Sequence, residues 1–173
     1  MNKIKLRALT TNDIENTLLW HNQDDISDFY SGHPFPVNIE METKWYKKIL
    51  TSNFPLTVFG IEYIENQCLI GITVLKDINL INRSAEYAIY IGNKDYRGKG
   101  LSNEATVETL RFGFYKLGLN RIYLRVLEEN EVAISLYKST GFIREGLLRN
   151  SVLKNNTFKN ELLMAILKDE FRG

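Results

Sequence analysis

Hydrophobic positions along the chain switch between a spacing of two and a spacing of three to four, and each switch marks an element. Ile4-Lys5-Leu6-Arg7-Ala8-Leu9 alternates as a first strand. Thr10 or Thr11, with Asp13 close behind, then starts a helix carrying Ile14, Leu18 and Leu19. Asp24 to Val37 follows neither spacing, and Pro34 and Pro36 exclude a continuous helix there. A second helix is expected from about Asn38 to Leu50, with Trp45, Tyr46 and Ile49 on its apolar side.

Two strands follow, about Leu56 to Ile64 and Cys68 to Lys76, joined by a turn at Glu65-Asn66. In the run from Ala85 to Gly92, Tyr87, Ile89 and Ile91 share one face of a strand. Ala105, Val107, Leu110, Phe114 and Leu117 then recur at helical spacing. Arg121 to Val126 is a strand, Asn130 opens a last helix, and Phe142 to Leu153 with Phe158 to Leu167 form a hairpin turning at Lys154-Asn155-Asn156-Thr157. Strands and helices interleave with short connections and no repeat, so the pattern predicts one mixed α/β domain over residues 1–173 with a largely antiparallel sheet.

Composition narrows the chemistry. At 173 residues and 44% hydrophobic content the chain is long enough to bury one core. It has no apolar run of membrane-spanning length and no signal peptide, so a cytoplasmic location is expected. Twenty-two basic against twenty-one acidic residues leave a net charge of +1, which gives no electrostatic case for nucleic acid or a membrane surface. The single cysteine, Cys68, forms neither an internal disulfide nor a thiolate metal site; within a strand it is expected to be a packed thiol.

The stretch Tyr96-Arg97-Gly98-Lys99-Gly100-Leu101-Ser102 sits between a strand and a helix. A helix N-terminus there aims free N–H groups and its dipole at one point, which suits an anion. Gly98 and Gly100 allow positive φ and place no Cβ against a ligand, while Arg97 and Lys99 add charge. A nucleoside-triphosphate loop would need Ser or Thr after its lysine, where Gly100 stands, and a dinucleotide loop would need glycine at Asn103.

Arg97 to Leu101 resemble the pyrophosphate loop [QR]-x-x-G-x-[GA] of the GNAT superfamily of N-acetyltransferases, with Ser102 in place of its small final residue. Asn130-Glu131-Val132-Ala133-Ile134-Ser135-Leu136-Tyr137-Lys138-Ser139-Thr140-Gly141-Phe142 matches that superfamily's N-x-x-A-x-x-L-Y-x-x-x-G-F helix at every fixed position. Asn130 is a suitable N-cap and Gly141 a left-handed stop.

That resemblance implies a sheet whose two central strands splay apart and an acetyl-CoA cosubstrate, with no metal. The main chain of Ile89, Tyr90 and Ile91 would line the pantetheine arm; Arg97, Gly98, Lys99, Gly100, Leu101 and Ser102 would hold the pyrophosphate, and Asn130 would contact one end. Tyr137 would be the general acid for the departing thiolate, with a packed core tyrosine as the plain alternative. A backbone N–H near Ile89 to Ile91 would stabilise the oxyanion. An amine with a pKa near 10 is mostly protonated at neutral pH, so a base must act first. Glu86 is the expected base, directly or through water, against the alternative of an ion-paired strand residue; His33 is the other candidate.

The overall spacing looks most like the subgroup of ribosomal-protein N-terminal and spermidine acetyltransferases. The substrate would then be a peptide N-terminus, a polyamine or an amino sugar. Asp24, Asp25, Asp28, Glu40 and Glu42 would either ring a polyamine or form a solvated acidic helix surface. Many relatives in the superfamily dimerise, which makes a homodimer a further expectation. Two readings stand against the enzyme: an acyl-CoA-binding module without catalysis, and a nucleotide enzyme that lacks its lysine and metal ligands.

Overall fold

The structure is a computed structural model and describes residues 2–27, 36–51 and 56–173. Seven strands make one sheet: β1 (Ile4–Arg7), β2 (Thr57–Tyr63), β3 (Cys68–Asn79), β4 (Ser84–Ile91), β5 (Arg121–Leu127), β6 (Ile143–Lys154) and β7 (Thr157–Leu167). Their order is β1-β2-β3-β4-β5-β7-β6. Every neighbouring pair is antiparallel except β4 and β5. The expected single α/β domain with a mostly antiparallel mixed sheet is what forms.

Turn chemistry sets the hairpins. Asn155 and Asn156 sit at φ 47° and 58°, the two positive values that a tight two-residue β6–β7 connection needs. β3 runs three residues further than its apolar pattern suggests, because Asp77 at φ 51° opens a bulge and pairing resumes at Asn79.

Helices cover both faces. α4 (Leu101–Arg111) buries Leu101, Ala105, Thr106, Thr109 and Leu110. Its inner stripe is therefore partly hydroxylic: the Tyr87 hydroxyl donates to Thr106 Oγ1 at 2.9 Å, and Thr109 and Thr73 hydroxyls meet at 3.0 Å. The regular helix stops at Arg111 and a π-helical turn, Phe112–Lys116, follows, where a continuous helix to Leu117 was expected. A Cβ on Gly113 in that turn would lie 2.7 Å from Ile122 Cδ1, so the turn packs its backbone onto β5.

The other face carries α1 (Ile14–His21), α2 (Asp24–Ser27) and α3 (Ile39–Thr51). The expected apolar side of α1 is corrected. Thr17 and Trp20 are buried, while Leu19 is 61% exposed. Trp20 sets this rotation: a Cβ on Gly92 would lie 2.0 Å from its ring, so the indole occupies the space that glycine leaves at the end of β4. On α3, Tyr46 is buried as expected, with Trp45 and Ile49 half-buried. Glu42 departs from the solvated acidic surface and is buried too.

The first corner is fixed by ions. Arg7 donates to both Asp13 oxygens at 2.8 Å and to Glu62 Oε2 at 2.6 Å, and the Thr10 N–H donates to Asp13 Oδ2 at 2.7 Å. Burial alone would raise the Asp13 carboxyl, but Arg7 and Thr10 hold it below its ordinary range. Cys68 is half-buried against the cluster of Ile4, Ile61 and Ile70.

Candidate active site

β4 and β5 share three residue pairs, Ser84 with Arg121, Ala85 with Ile122 and Glu86 with Tyr123, and then part. Each strand continues, because its outer side stays paired: β4 with β3 as far as Ile91, β5 with β7 as far as Leu127. The expected splay is present. It leaves one backbone edge of each strand facing a cleft of about 510 Å³, lined by Ile89, Tyr90 and Ile91 on one side and Arg125, Val126 and α5 (Glu131–Ser139) on the other.

One end of the cleft is the glycine turn. Asn93 caps a 3₁₀ turn by accepting the Asp95 N–H at 3.1 Å, and the chain then passes through Gly98 at φ 71° and Gly100 at φ 75° into α4. Neither glycine has an atom within 4 Å of where a Cβ would stand. Among the described residues, the N–H groups from Gly98 to Ser102 find no backbone acceptor. Five such donors at a helix start, with two bare Cα positions, fit a pyrophosphate.

Arg97 lies at this end but its guanidinium is engaged. It donates to Asp25, to Ile91 O at 2.8 Å and to Gly92 O at 3.3 Å. Asp25 is held below its ordinary range chiefly by Arg97, and Lys94 Nζ stands 3.5 Å from its other oxygen. Lys99 lies 5.2 Å from the Tyr96 ring. Arg97 and Lys94 thus tie the turn to α2, and the main chain presents the open donors.

Across the cleft, Asn130 Oδ1 accepts the Ala133 N–H at 3.1 Å and so caps α5. Gly141 ends the helix at φ 98°, and the Phe142 N–H donates to Tyr137 O at 2.9 Å. Asn103 donates to Ser139 Oγ at 2.9 Å, linking the start of α4 to the end of α5. Tyr137 lines the cleft while its ring packs on Tyr87 and Phe142, with centroids 6.3 and 5.6 Å away. Its hydroxyl has no hydrogen-bond partner among the described residues. Burial pushes it up to about 12, so it stays protonated and able to donate.

Glu86 lies on the face of β4 opposite Tyr87, as the alternation predicts, but the cleft lining does not include it. It is 6% exposed, and its carboxylate meets Lys76 Nζ at 3.2 Å and Arg125 Nη2 at 3.3 Å. Arg125 does line the cleft. Sequence reading missed Arg125, because the parallel register that sets it beside Glu86 across 39 positions leaves no local signal. His33 and Asp28 lie outside the described residues.

A mixed sheet with a splayed parallel pair, an open N–H turn and a proton-bearing tyrosine define a thioester-using acyl transferase site. Residues 3–143 match the family described as Acetyltransferase (GNAT) domain, and the chain belongs to that family. It is 33% identical over 144 residues to the spermidine N(1)-acetyltransferase of Vibrio cholerae, covering 83% of this chain and 81% of that one. It is 26% identical to YdaF of Bacillus subtilis, a candidate ribosomal N-acetyltransferase, over 98% and 94% of the two chains. The crystal structure of the Vibrio cholerae spermidine N-acetyltransferase in complex with CoA and spermine superposes with a TM-score of 0.91 at 30% identity, covering 97% of each chain. This chain is an acetyl-CoA-dependent N-acetyltransferase that moves an acetyl group from the thioester to a primary amine.

Proposed function

We propose that the amine is a polyamine of the spermidine type, acetylated at a terminal nitrogen. The observation that carries this reading is the 33% identity, over four fifths of both chains, to an enzyme that acts on spermidine. Acetyl-CoA supplies the activated acyl group. The N–H groups from Gly98 to Ser102 take its pyrophosphate, the free edge at Ile89, Tyr90 and Ile91 pairs with its pantetheine arm, and Asn130 and Tyr137 face it from α5. A main-chain N–H of that edge receives the developing oxyanion, and Tyr137 gives its proton to the departing sulfur.

Glu86 is assigned to holding Arg125 against the cleft wall. Both its neighbours are cations, so its charge is compensated where it stands. A peptide N-terminus is the second reading, favoured by one observation: three of the nearby carboxylates are already engaged. Glu86 meets Lys76 and Arg125, Asp25 meets Arg97 and Lys94, and Glu42 meets Thr17 and His21.

The test is release of free CoA thiol from acetyl-CoA with spermidine, spermine, short unblocked peptides and an amino sugar at equal concentration. Spermidine and spermine reacting fastest supports the polyamine reading. Turnover confined to the peptides establishes the second reading, and turnover of the amino sugar alone removes both.

A further inference from the structure

Glu42 is a buried carboxylate that acetyl transfer as described above does not use. It is 1% exposed, on α3, and Thr17 on α1 donates to its Oε1 at 2.5 Å. Its Oε2 lies 2.8 Å from His21 Nδ1. The other ring nitrogen, His21 Nε2, lies 3.4 Å from the hydroxyl of Tyr90, and Tyr90 lines the cleft. Trp45 on α3 stands edge-on to the imidazole at 5.3 Å and fixes its plane. These contacts form one line from the interior of the α1–α3 pair to the wall of the active site.

The chemistry of the line has a direction. An ionised carboxylate only accepts, so the Nδ1 facing Glu42 carries the hydrogen and the Nε2 facing Tyr90 is left with a lone pair. Imidazole is the side chain that exchanges protons in the neutral range. Among the described residues, the groups facing His21 are Glu42 and Trp45 from α3 and Tyr90 from β4. Beside Glu42, the Thr17 hydroxyl also meets that of Tyr46, 3.2 Å away.

We propose that the Glu42–His21 pair, reaching the cleft through the Tyr90 hydroxyl, takes up the proton that the substrate ammonium must lose before it attacks. The ammonium gives one proton to Tyr90 Oη as the Tyr90 hydroxyl gives its own to His21 Nε2. The imidazolium so formed is held by Glu42 and releases its proton to water across its exposed edge; the His21 side chain is 19% exposed. The neutral amine forms the C–N bond, the C–S bond breaks, and the second nitrogen proton balances the one that Tyr137 gives to sulfur. The sum is one amide, one thiol and one proton released. His21 acts through Tyr90 and is a positioning residue in this scheme, whichever amine is used.

The experiment is kcat/KM against pH for the wild type, His21→Gln, Glu42→Gln and Tyr90→Phe, with the panel amine that the wild type turns over fastest. His21→Gln should lower kcat/KM at pH 7 by about 100-fold, the usual weight of a positioned base. Its rate should then climb with pH as free amine accumulates, while acetyl-CoA still raises the melting temperature. Glu42→Gln should move the acidic limb to lower pH, because the imidazolium loses its counter-charge, and Tyr90→Phe should follow His21→Gln. A His21→Gln profile that superimposes on the wild type overturns the proposal. A second readout needs no turnover: nitrogen NMR of His21 in the folded wild type should show the Nδ1–H tautomer above its titration, and the Nε2–H tautomer overturns the relay. Failure of every panel amine would count against the polyamine and peptide readings, and the NMR result would still decide this one.

Discussion

Tyr87 and Tyr137 stand edge to face with ring centroids 6.3 Å apart, and among the described residues only one of the two hydroxyls is bonded within the protein. That of Tyr87 donates to Thr106 at 2.9 Å and is locked into the core. That of Tyr137 is left for the cleft. Two buried tyrosines in contact are thus placed differently, one tied to α4 and the other lining the cleft, where it is the proposed proton donor.

Removing the second hydroxyl should therefore cost rate without costing the fold. Tyr137→Phe is expected to lower kcat by about 100-fold with little change in acetyl-CoA affinity. A donor must be protonated to work, and burial raises the Tyr137 hydroxyl to about 12. Wild-type kcat should then show no alkaline fall up to about pH 10, since the tyrosine keeps its proton there. An unchanged kcat in Tyr137→Phe would remove the general-acid role.

At the glycine turn, a methyl group would meet open space but the wrong backbone. Gly100 lies at φ 75° with no atom within 4 Å of a Cβ. Gly100→Ala should cost about 1 kcal/mol of stability from left-handed strain. It should weaken CoA binding by a further factor of about 10, read by calorimetric titration, because the methyl intrudes where the main-chain donors converge. Equal CoA affinity in the variant would place the pyrophosphate elsewhere.

Glu86 separates a positioning role from a basic one. As the group that holds Arg125, Glu86→Gln should raise KM for the amine and lower kcat less than about tenfold, with the pH profile unmoved. Loss of a buried carboxylate from between two half-exposed cations should cost about 1 kcal/mol in urea unfolding. A loss of about 100-fold with a changed acidic limb would instead make Glu86 the base.

The Arg7–Asp13 pair sets the acid limit of the fold. The carboxyl of Asp13 is held below its ordinary value of 3.8 in the folded state. Its contribution is complete above about pH 4 and is lost as pH falls through the lower folded value. Asp13→Asn should cost about 3 kcal/mol at pH 7, leaving Arg7 undercompensated, and lower the melting temperature by on the order of 10 °C. The gap to the wild type should narrow steadily below pH 4; a gap independent of pH would exclude the ion pair as its source.

Much of this was legible in the sequence, for physical reasons that can be named. The strands and the β6–β7 turn are written in local spacing and turn residues, the glycine loop in its positive-φ positions, and the splay was implied by the resemblance that the motif helix carries. Gly98 and Gly100 were readable because only backbone conformation was at stake. Burial of polar groups was not readable: Glu42 and Thr17 have the composition of an exposed face and are hidden because they meet each other between α1 and α3. The turn of α1 onto Trp20 depends on the absence of a side chain at Gly92, 72 residues away. Arg97 was placed at the pyrophosphate by the resemblance, and no local pattern announces that its guanidinium also meets Asp25 and two carbonyls. Contacts of that range belong to the tertiary fold and leave no period in the chain.

The three-pair junction of β4 and β5 makes the sheet two plates sharing one short seam. One plate holds β1 to β4 and the other β5, β7 and β6, and beyond Glu86 and Tyr123 no ladder bonds join them. In the proposed binding mode a cosubstrate laid in the gap would supply the missing rungs, so the sheet would become continuous only in the complex. Slow exchange of the gap-facing amides between Tyr87 and Ile91 would then be a property of the complex, while the amides bonded to β3 are protected in either state.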